Sequence, residues 1–304
     1  MRPARIAVLL STYDGAAYLA DQLASLLAQT WPGWTLLWRD DGSQDATPEI
    51  MAAWMRGAGQ GRCTRVGPPG RLGPTPSFMA LLRAAGEADL VAFADQDDVW
   101  LPDKLARGAA ALAAVPPGTP ALYCARQVLV DAGLERLGLS APIRPLGFPA
   151  ALTQNVATGC TVMMNRAAAS LVAGSAPPST SLHDWWSYLV VAAAGGRLIV
   201  DPEPVVLYRQ HAGNLVGSPP SAGRRAVAAL RRGPGVFMHV LRENVAALRA
   251  QPALVAAPNR AALERVHRGL TGGAGARLGA LAMPGLRRQT WAETVLFRLW
   301  FLVG

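Results

Sequence analysis

Two hydrophobic periods alternate along the first 115 residues. "RIAVLLSTY" is a continuous apolar run that turns polar, and it predicts a short buried strand. "AAYLADQLASLLAQT" carries Leu19, Leu23, Leu26 and Leu27 at helical spacing and predicts a helix. "WTLLWRDDGS" predicts a second strand ending in acid and a turn. "DATPEIMAAWMRGAG" predicts a second helix that stops at Gly57 and Gly59. "CTRVGPPGRLGPTPS" reads as a short strand and a Pro/Gly loop, and "SFMALLRAAGEA" as a third helix with Ser77 as its N-cap. "DLVAFADQDD" predicts a strand, and "LPDKLARGAAALAAV" a helix with Pro102 near its start. Strand and helix in alternation argue for a parallel sheet with helices on both faces.

Past Pro116 the alternation breaks down. "ALYCARQVLVD" looks like a strand, and "GLSAPIRPLGFPAALTQN" like a loop leading into a helix. "TGCTVMMNRAAASLV" reads as a strand turning into a helix, "SLHDWWSYLVVAAAGG" as a helix, and "RLIVDPEPVVLYRQH" as a strand pair or extended segment. From Gly217 the chain is rich in Gly, Pro, Arg and Ala. Helices are expected at "AGRRAVAALRR", "VFMHVLRENVAALRA" and "PNRAALERVHRGL", and the sequence closes on "ETVLFRLWFLVG". No internal repeat is visible.

Composition narrows the classes. Half of the 304 residues are apolar, enough for a sizeable core. The apolar part of "RPARIAVLLSTYDG" is too short for a signal peptide, and no apolar run reaches the length of a spanning helix. Cys63, Cys124 and Cys160 are odd in number and far apart, which fits a reducing compartment without a disulfide framework. The net charge of +9 is concentrated in the tail: residues 219–304 hold 13 Arg against 3 Glu, a net +10. Such a tail can meet anionic lipid, nucleic acid or an anionic substrate. The plainer explanation is a composition that writes Arg for Lys, since Lys104 is the only lysine.

Chemistry concentrates where the predicted strands end, which is where ligands bind in a doubly wound sheet. "STYDG", "RDDGS" and "DQDD" each fall there, and the last sets Asp95, Asp97 and Asp98 within four residues. The dinucleotide and P-loop glycine signatures are absent. An EF-hand also fails, because the sixth position from Asp95 is Trp100 and the twelfth is Ala106. A nucleoside diphosphate held partly through Mg²⁺ or Mn²⁺ remains, since these ions take one or two carboxylates and leave the other positions to water and phosphate.

These segments together bring a family into view. "LLSTYDGAAYLADQLASLLAQTWPGWTLLWRDDGSQDAT", "FADQDDVWLPDKL", "HDWW" and "LYRQHAGNLVG" resemble inverting family 2 glycosyltransferases with the GT-A fold. The last two motifs are most similar to those of bacterial rhamnosyltransferases of polysaccharide assembly. The resemblance runs from about Arg5 to Gly217, and no family motif is visible beyond it.

The resemblance implies a fold, a division and a set of roles. The fold is α/β, with a Rossmann-like mixed central sheet flanked by helices and a C-terminal helical tail. Residues 1–217 form the transferase domain, with a nucleotide half to about 115 and an acceptor half to about 217; residues 218–304 form a basic helical extension. Ser11 and Tyr13 line the nucleobase pocket, Asp41 binds the base, and Asp95 and Gln96 lie near the ribose. Asp97 is the main metal ligand, and Asp98 a turn residue or helix cap. His211 approaches the metal or the diphosphate, Arg71 and Arg209 serve the diphosphate, and Asp184 is the catalytic base. The loop "GRLGPTPSF" departs from the family, with Ser77 where Asn is common, so its contacts are open.

Several of these residues have plainer alternatives. Asp184 before an apolar helical run suits an N-cap, and Asp41 suits a helix N-terminal turn. Arg209 can be a surface ion pair, and His183 and His211 surface histidines. Trp185 and Trp186 suit core packing, or one of them a sugar platform. Phe297, Trp300 and Phe301, if exposed, suit an interface.

The resulting expectation is an inverting, metal-assisted transfer of a sugar, rhamnose from a dTDP donor, onto a glycan or lipid-linked glycan. The expected location is the cytoplasm, at the inner face of the cell membrane by way of the basic tail. Alternatives are a UDP-sugar donor and a catalytically silent nucleotide- or glycan-binding module. Nucleic-acid binding lacks a recognisable module.

Overall fold

The computed structural model describes residues 3–144, 147–211 and 222–304. The strands are β1 (Ile6–Thr12), β2 (Trp34–Asp40), β3 (Cys63–Arg65), β4 (Leu90–Ala94), β5 (Val99–Trp100), β6 (Ala121–Val130), β7 (Arg136–Leu139), β8 (Met163–Asn165) and β9 (Arg197–Arg209). The helices are α1 (Leu19–Leu27), α2 (Thr47–Arg56), α3 (Pro74–Ala84), α4 (Lys104–Ala113), α5 (Phe148–Ala151), α6 (Arg166–Ala173), α7 (His183–Ala193), α8 (Ala222–Ala250), α9 (Ala257–Thr271), α10 (Ala274–Leu281) and α11 (Trp291–Val303).

All nine strands join one mixed sheet in the order β3-β2-β1-β4-β8-β6-β9-β5, with β7 added on β6. The half with alternating periods is parallel: β1 pairs with β2 and with β4, setting Thr12 beside Asp40 and Leu10 beside Ala94. Three polar strand ends are therefore neighbours. β8 then runs antiparallel to both β4 and β6.

The two-residue period divides the core. Ala7, Leu9, Val91 and Phe93 face one side, under α3, α6 and α7. Ile6, Val8, Leu10, Ala92 and Ala94 face the other, under α1, α2 and α4. Helices α8 to α11 bury Leu241, Val245, Leu263, Val266, Phe297 and Phe301 in the first of these layers, so the basic extension shares the core of the sheet. Among the described residues no helix is long and apolar enough to cross a membrane. All three cysteines are free.

Several expectations need correcting. Helix α3 starts at Pro74 with Gly73 as its cap, so Ser77 lies inside it; two prolines carry the helix start further back than periodicity suggests. Phe297, Trp300 and Phe301 are buried, packed on one another and on Phe237. Asp98 caps no helix, since Asp103 holds that position in α4, and α7 is capped by Leu182 rather than Asp184. The stretch read as a loop begins within β7, and the acidic turn leads straight into β5. The expected domain boundary at 217/218 lies outside the described residues, as do Ala212 to Gly217 of the "LYRQHAGNLVG" motif.

Candidate active site

Ser11, Tyr13, Asp41, Arg71, Asp95, Gln96, Asp97 and Asp184 line one cleft of about 430 Å³ at the carboxyl ends of β1, β2 and β4. Thr12, Pro74, Phe78, Thr158, Gly159, Leu182, His183 and Tyr208 complete its wall. Those eight come from five separate segments; Thr12, His183 and Tyr208 lie in motifs already singled out, and the other five gave little signal in the sequence.

The first strand end is tied to the acidic turn. Gln96 accepts from Tyr13 N at 2.8 Å and donates to Tyr13 O at 2.8 Å. The approach is so close that a Cβ on Gly15 would stand 2.3 Å from the Gln96 amide oxygen. Arg71 lies over the Tyr13 ring, 3.7 Å from its centroid, so one face of this residue, expected to line the nucleobase pocket, carries a guanidinium here. Gln96 is thus engaged with backbone rather than pointing freely toward a ribose.

Asp41 organises the loop between β3 and α3. One carboxylate oxygen accepts from Arg39, Leu72 N and Ser77, and the other from Gly73 N. Burial raises the carboxyl, but these bonds outweigh it and hold Asp41 below the usual range. A carboxylate offers about four lone-pair sites, so the oxygen on Gly73 keeps room for one further donor in the cleft. Asp40 accepts from Ser43 and from Gly42 N, closing the "DDGS" turn at Gly42, whose φ of +88° disfavours any side chain.

The acidic turn has an outer and an inner face. On the outer face Asp97 meets His211 at 2.9 Å, and His211 leans on the Tyr18 ring. A carboxylate oxygen and an imidazole nitrogen converging beside a polar cleft fit Mg²⁺ or Mn²⁺. On the inner face Asp98 is fully buried. Asp95, Asp98 and Cys160 bring one potential ligand atom each within 4.8 Å of one another. Burial, with the charges of Asp98 and Asp95 added, pushes the Cys160 thiol well above its ordinary value. Burial, with the charges of Asp97 and Asp184 added, raises Asp95 to about 7 against the opposing pull of Lys104.

Arg209 stands behind this turn and outside the cleft lining. It is 2% exposed, so its ion pair with the half-exposed Asp21 is made from inside the protein rather than between two surface side chains. Its guanidinium donates to Asp97 O and Ala132 O and to the Asp21 carboxylate, and it covers the Tyr18 ring. Its backbone N–H donates to Asp98. The residue clamps the turn instead of reaching into the cleft.

Asp184 sits in the first turn of α7, 8% exposed. It accepts from Gly159 N at 3.0 Å and from Trp185 N at 2.6 Å. Burial pushes it up to about 6, while the bonds from Trp185 N, Asn155 and Gly159 N pull it down. That value suits a base working near neutrality. His183 beside it is buried, stacked on Phe78 at 3.7 Å, and held neutral because burial pushes it down to about 3. Trp186 is in the core and Trp185 donates to Ala151 O; neither lines the cleft, so the sugar-platform idea has no support.

Residues 7–121 match the family model for glycosyl transferase family 2. An uncharacterized glycosyltransferase, alr2836 of Nostoc sp. strain PCC 7120, is 34% identical over 105 residues, which is 34% of this chain and 31% of that one. The match thus spans less than a third of that relative. The dTDP-rhamnosyl transferase RfbG of Shigella flexneri is 23% identical over 235 residues, covering 69% and 74% of the two chains. Two solved structures share the fold. The mannosyltransferase PcManGT of Pyrobaculum calidifontis, in complex with GDP-Man and Mn²⁺, has a TM-score of 0.56 at 19% identity, covering 100% of this chain and 87% of that one. TarS 1–349 of S. aureus, in complex with UDP-GlcNAc, has a TM-score of 0.55 at 15% identity, covering 91% and 88%. The sheet and its flanking helices are a GT-A fold.

Proposed function

We propose that this chain, which belongs to glycosyl transferase family 2, transfers a sugar from a nucleotide donor to a hydroxyl of a glycan or lipid-linked glycan, with inversion. The observation that carries the reading is a single cleft lined by Asp97, backed by His211, and by Asp184 with a carboxyl raised to about 6. Asp184 takes the proton from the acceptor hydroxyl as that oxygen attacks the sugar. Its bonds to Gly159 N and Trp185 N fix the carboxylate for that transfer. Asp97 and His211 hold a divalent cation, which when bound supplies positive charge to the departing diphosphate. Arg71 adds a cation at the cleft wall. Asp41 and Tyr13 serve the base, and Ser11, Asp95 and Gln96 shape the ribose side. For Arg209 the contacts support holding Asp97 in place more than touching the donor.

Rhamnose from dTDP-rhamnose is the donor we favour, on the "HDWW" and "YRQH" segments and the likeness to RfbG. Transfer assays with dTDP-rhamnose, UDP-GlcNAc and GDP-mannose, each with and without Mn²⁺, test it. Turnover of dTDP-rhamnose alone supports the reading, and preference for a UDP-sugar overturns the donor assignment. Metal-dependent binding without any transfer points to a silent binding module.

A second reading concerns place. Trp291 is 80% exposed and Val303 76% exposed on α11, beside exposed Leu299 and Arg298. Apolar and cationic groups on one helix support attachment to the anionic inner face of a membrane, in place of the buried aromatic anchor first expected.

A further inference from the structure

The loop between β3 and α3 runs over the surface, with Pro68, Pro69, Arg71 and Leu72 exposed, yet it is held from inside. The hold comes from Arg39, the next-to-last residue of β2, which is 4% exposed and stands opposite Ser11 of β1. Its Nη1 donates to the Asp41 carboxylate at 2.9 Å, an ion pair between two buried side chains, and to Ser77 of α3 at 3.1 Å. Its Nη2 donates to Gly70 O at 2.7 Å. The Asp41 oxygen that meets Nη1 also accepts from Leu72 N at 2.7 Å. Arg71 is thereby bracketed. The carbonyl before it is bonded by Arg39 directly, and the amide after it is bonded through Asp41. Arg71 and Asp41 line the cleft, and Arg39 does not.

The contacts need a guanidinium. Asp41 and Gly70 O are served by different nitrogens of one rigid plane, so the two acceptors are held at a fixed separation. A lysine ammonium carries all its donors on one nitrogen and cannot stand at both places. Charge-assisted bonds made away from water are also stronger than neutral ones, so the fork fixes its partners firmly.

We propose that Arg39 is a positioning residue of the donor site, which sets the Arg71 guanidinium and the Asp41 carboxylate relative to one another from beneath the cleft wall. The inference rests on the reading of Asp41 and Arg71 as donor contacts. Its consequence is that affinity for a nucleoside diphosphate depends on a side chain that does not touch it.

The test is a double-mutant cycle on the affinity for dTDP, or for UDP if the parent binds that more tightly, measured by calorimetry on the full chain at fixed Mg²⁺. Arg39→Lys keeps the charge and loses the fork. It should weaken binding by about tenfold or more in the parent, and by at most about threefold in Arg71→Ala, where the group it places is gone. Equal factors in the two backgrounds mark a merely structural residue and overturn the proposal, as does unchanged affinity in Arg39→Lys. Arg39→Met is the second variant, since it leaves Asp41 its bonds from Leu72 N, Gly73 N and Ser77. The same weakening is expected from it. Should neither variant fold, hydrogen exchange in the parent decides. The Leu72 amide should exchange slowly despite its place in an exposed loop, and exchange at the rate of an open loop overturns the proposal. Two outcomes separate this inference from the reading beneath it. If Arg71→Ala and Asp41→Asn weaken binding while Arg39→Lys does not, only the role of Arg39 falls. If those two variants bind as the parent does, the donor-site reading falls and takes this inference with it.

Discussion

Asp97 and His211 stand 114 positions apart in the chain and meet at 2.9 Å. The meeting is made by β9, whose end lies against the short strand β5 that leaves the acidic turn, with Leu207 opposite Val99. Arg209, two residues before His211, bonds to Asp97 O and fixes the turn to the strand end. We expect Asp97→Ala to abolish metal-dependent binding of nucleoside diphosphate, measured by calorimetry with and without Mn²⁺. His211→Ala should raise the Mn²⁺ concentration for half-saturation by about tenfold or more. Metal dependence unchanged in both variants would remove the site.

Asp98 should behave differently from Asp97, although it is adjacent. It is buried and accepts from the backbone N–H of Arg209 rather than facing the cleft. Asp98→Ala leaves the buried backbone N–H of Arg209 without its acceptor, a change of the kind that costs about 1–3 kcal/mol. Thermal melting should therefore fall steeply in Asp98→Ala and stay near native in Asp97→Ala.

Asp184→Asn keeps the shape of the side chain and removes its basicity. Transfer should drop by at least about a hundredfold, with donor and metal binding intact. In the parent protein kcat/KM should fall as pH drops through about 6, because protonation of Asp184 removes the base. The linkage to stability has the opposite sign from that of a salt-bridged carboxylate. Folding raises Asp184 above its ordinary 3.8, so the ionised group costs stability above about pH 6, and that cost fades as pH falls toward 4. Asp184→Asn should gain on the parent in melting temperature at pH 8 and lose that advantage near pH 4. Normal transfer per folded molecule in this variant would place the base elsewhere.

Gly15→Ala drives a methyl group into the Gln96 amide that ties Tyr13 to the acidic turn. Overpacking of this kind costs about 1–3 kcal/mol. We expect a lower melting temperature together with a raised KM for the donor, since both clamped segments line the cleft. A stable variant with unaltered donor KM would show that the clamp does not shape the site.

Removing "FRLWFLVG" takes Phe297, Trp300 and Phe301 out of the core, and truncating a single buried Phe or Trp already costs about 3–5 kcal/mol. The deletion should abolish cooperative melting, and so it cannot isolate membrane attachment. Trp291→Ser changes a side chain that is 80% exposed, and should leave melting unchanged while weakening sedimentation with anionic vesicles. Vesicle binding equal in the two proteins would reject the α11 surface.

Much of the nucleotide-side architecture is legible in the sequence because it is written locally. The period of Ile6, Val8 and Leu10 against Ala7 and Leu9 defines a strand buried on both faces, and the helix after it has its own period. The acids and glycines of "RDDGS" and "DQDD" lie where such strands end, so the chemistry at the carboxyl edge needs no long-range information. What the sequence left open depends on contacts between distant segments. A lone lysine, a histidine or a terminal aromatic reads the same whether it meets water or a neighbouring strand. Only the packing of β9 on β5 and β6 brings His211 to Asp97 and turns Arg209 inward. Only the docking of α8 and α11 on the sheet buries Phe297 and Phe301 and leaves Trp291 outside. Burial is a property of the assembled layers rather than of any one segment, and the assembled layers decide which of these charged and aromatic residues face the cleft, the core or the solvent.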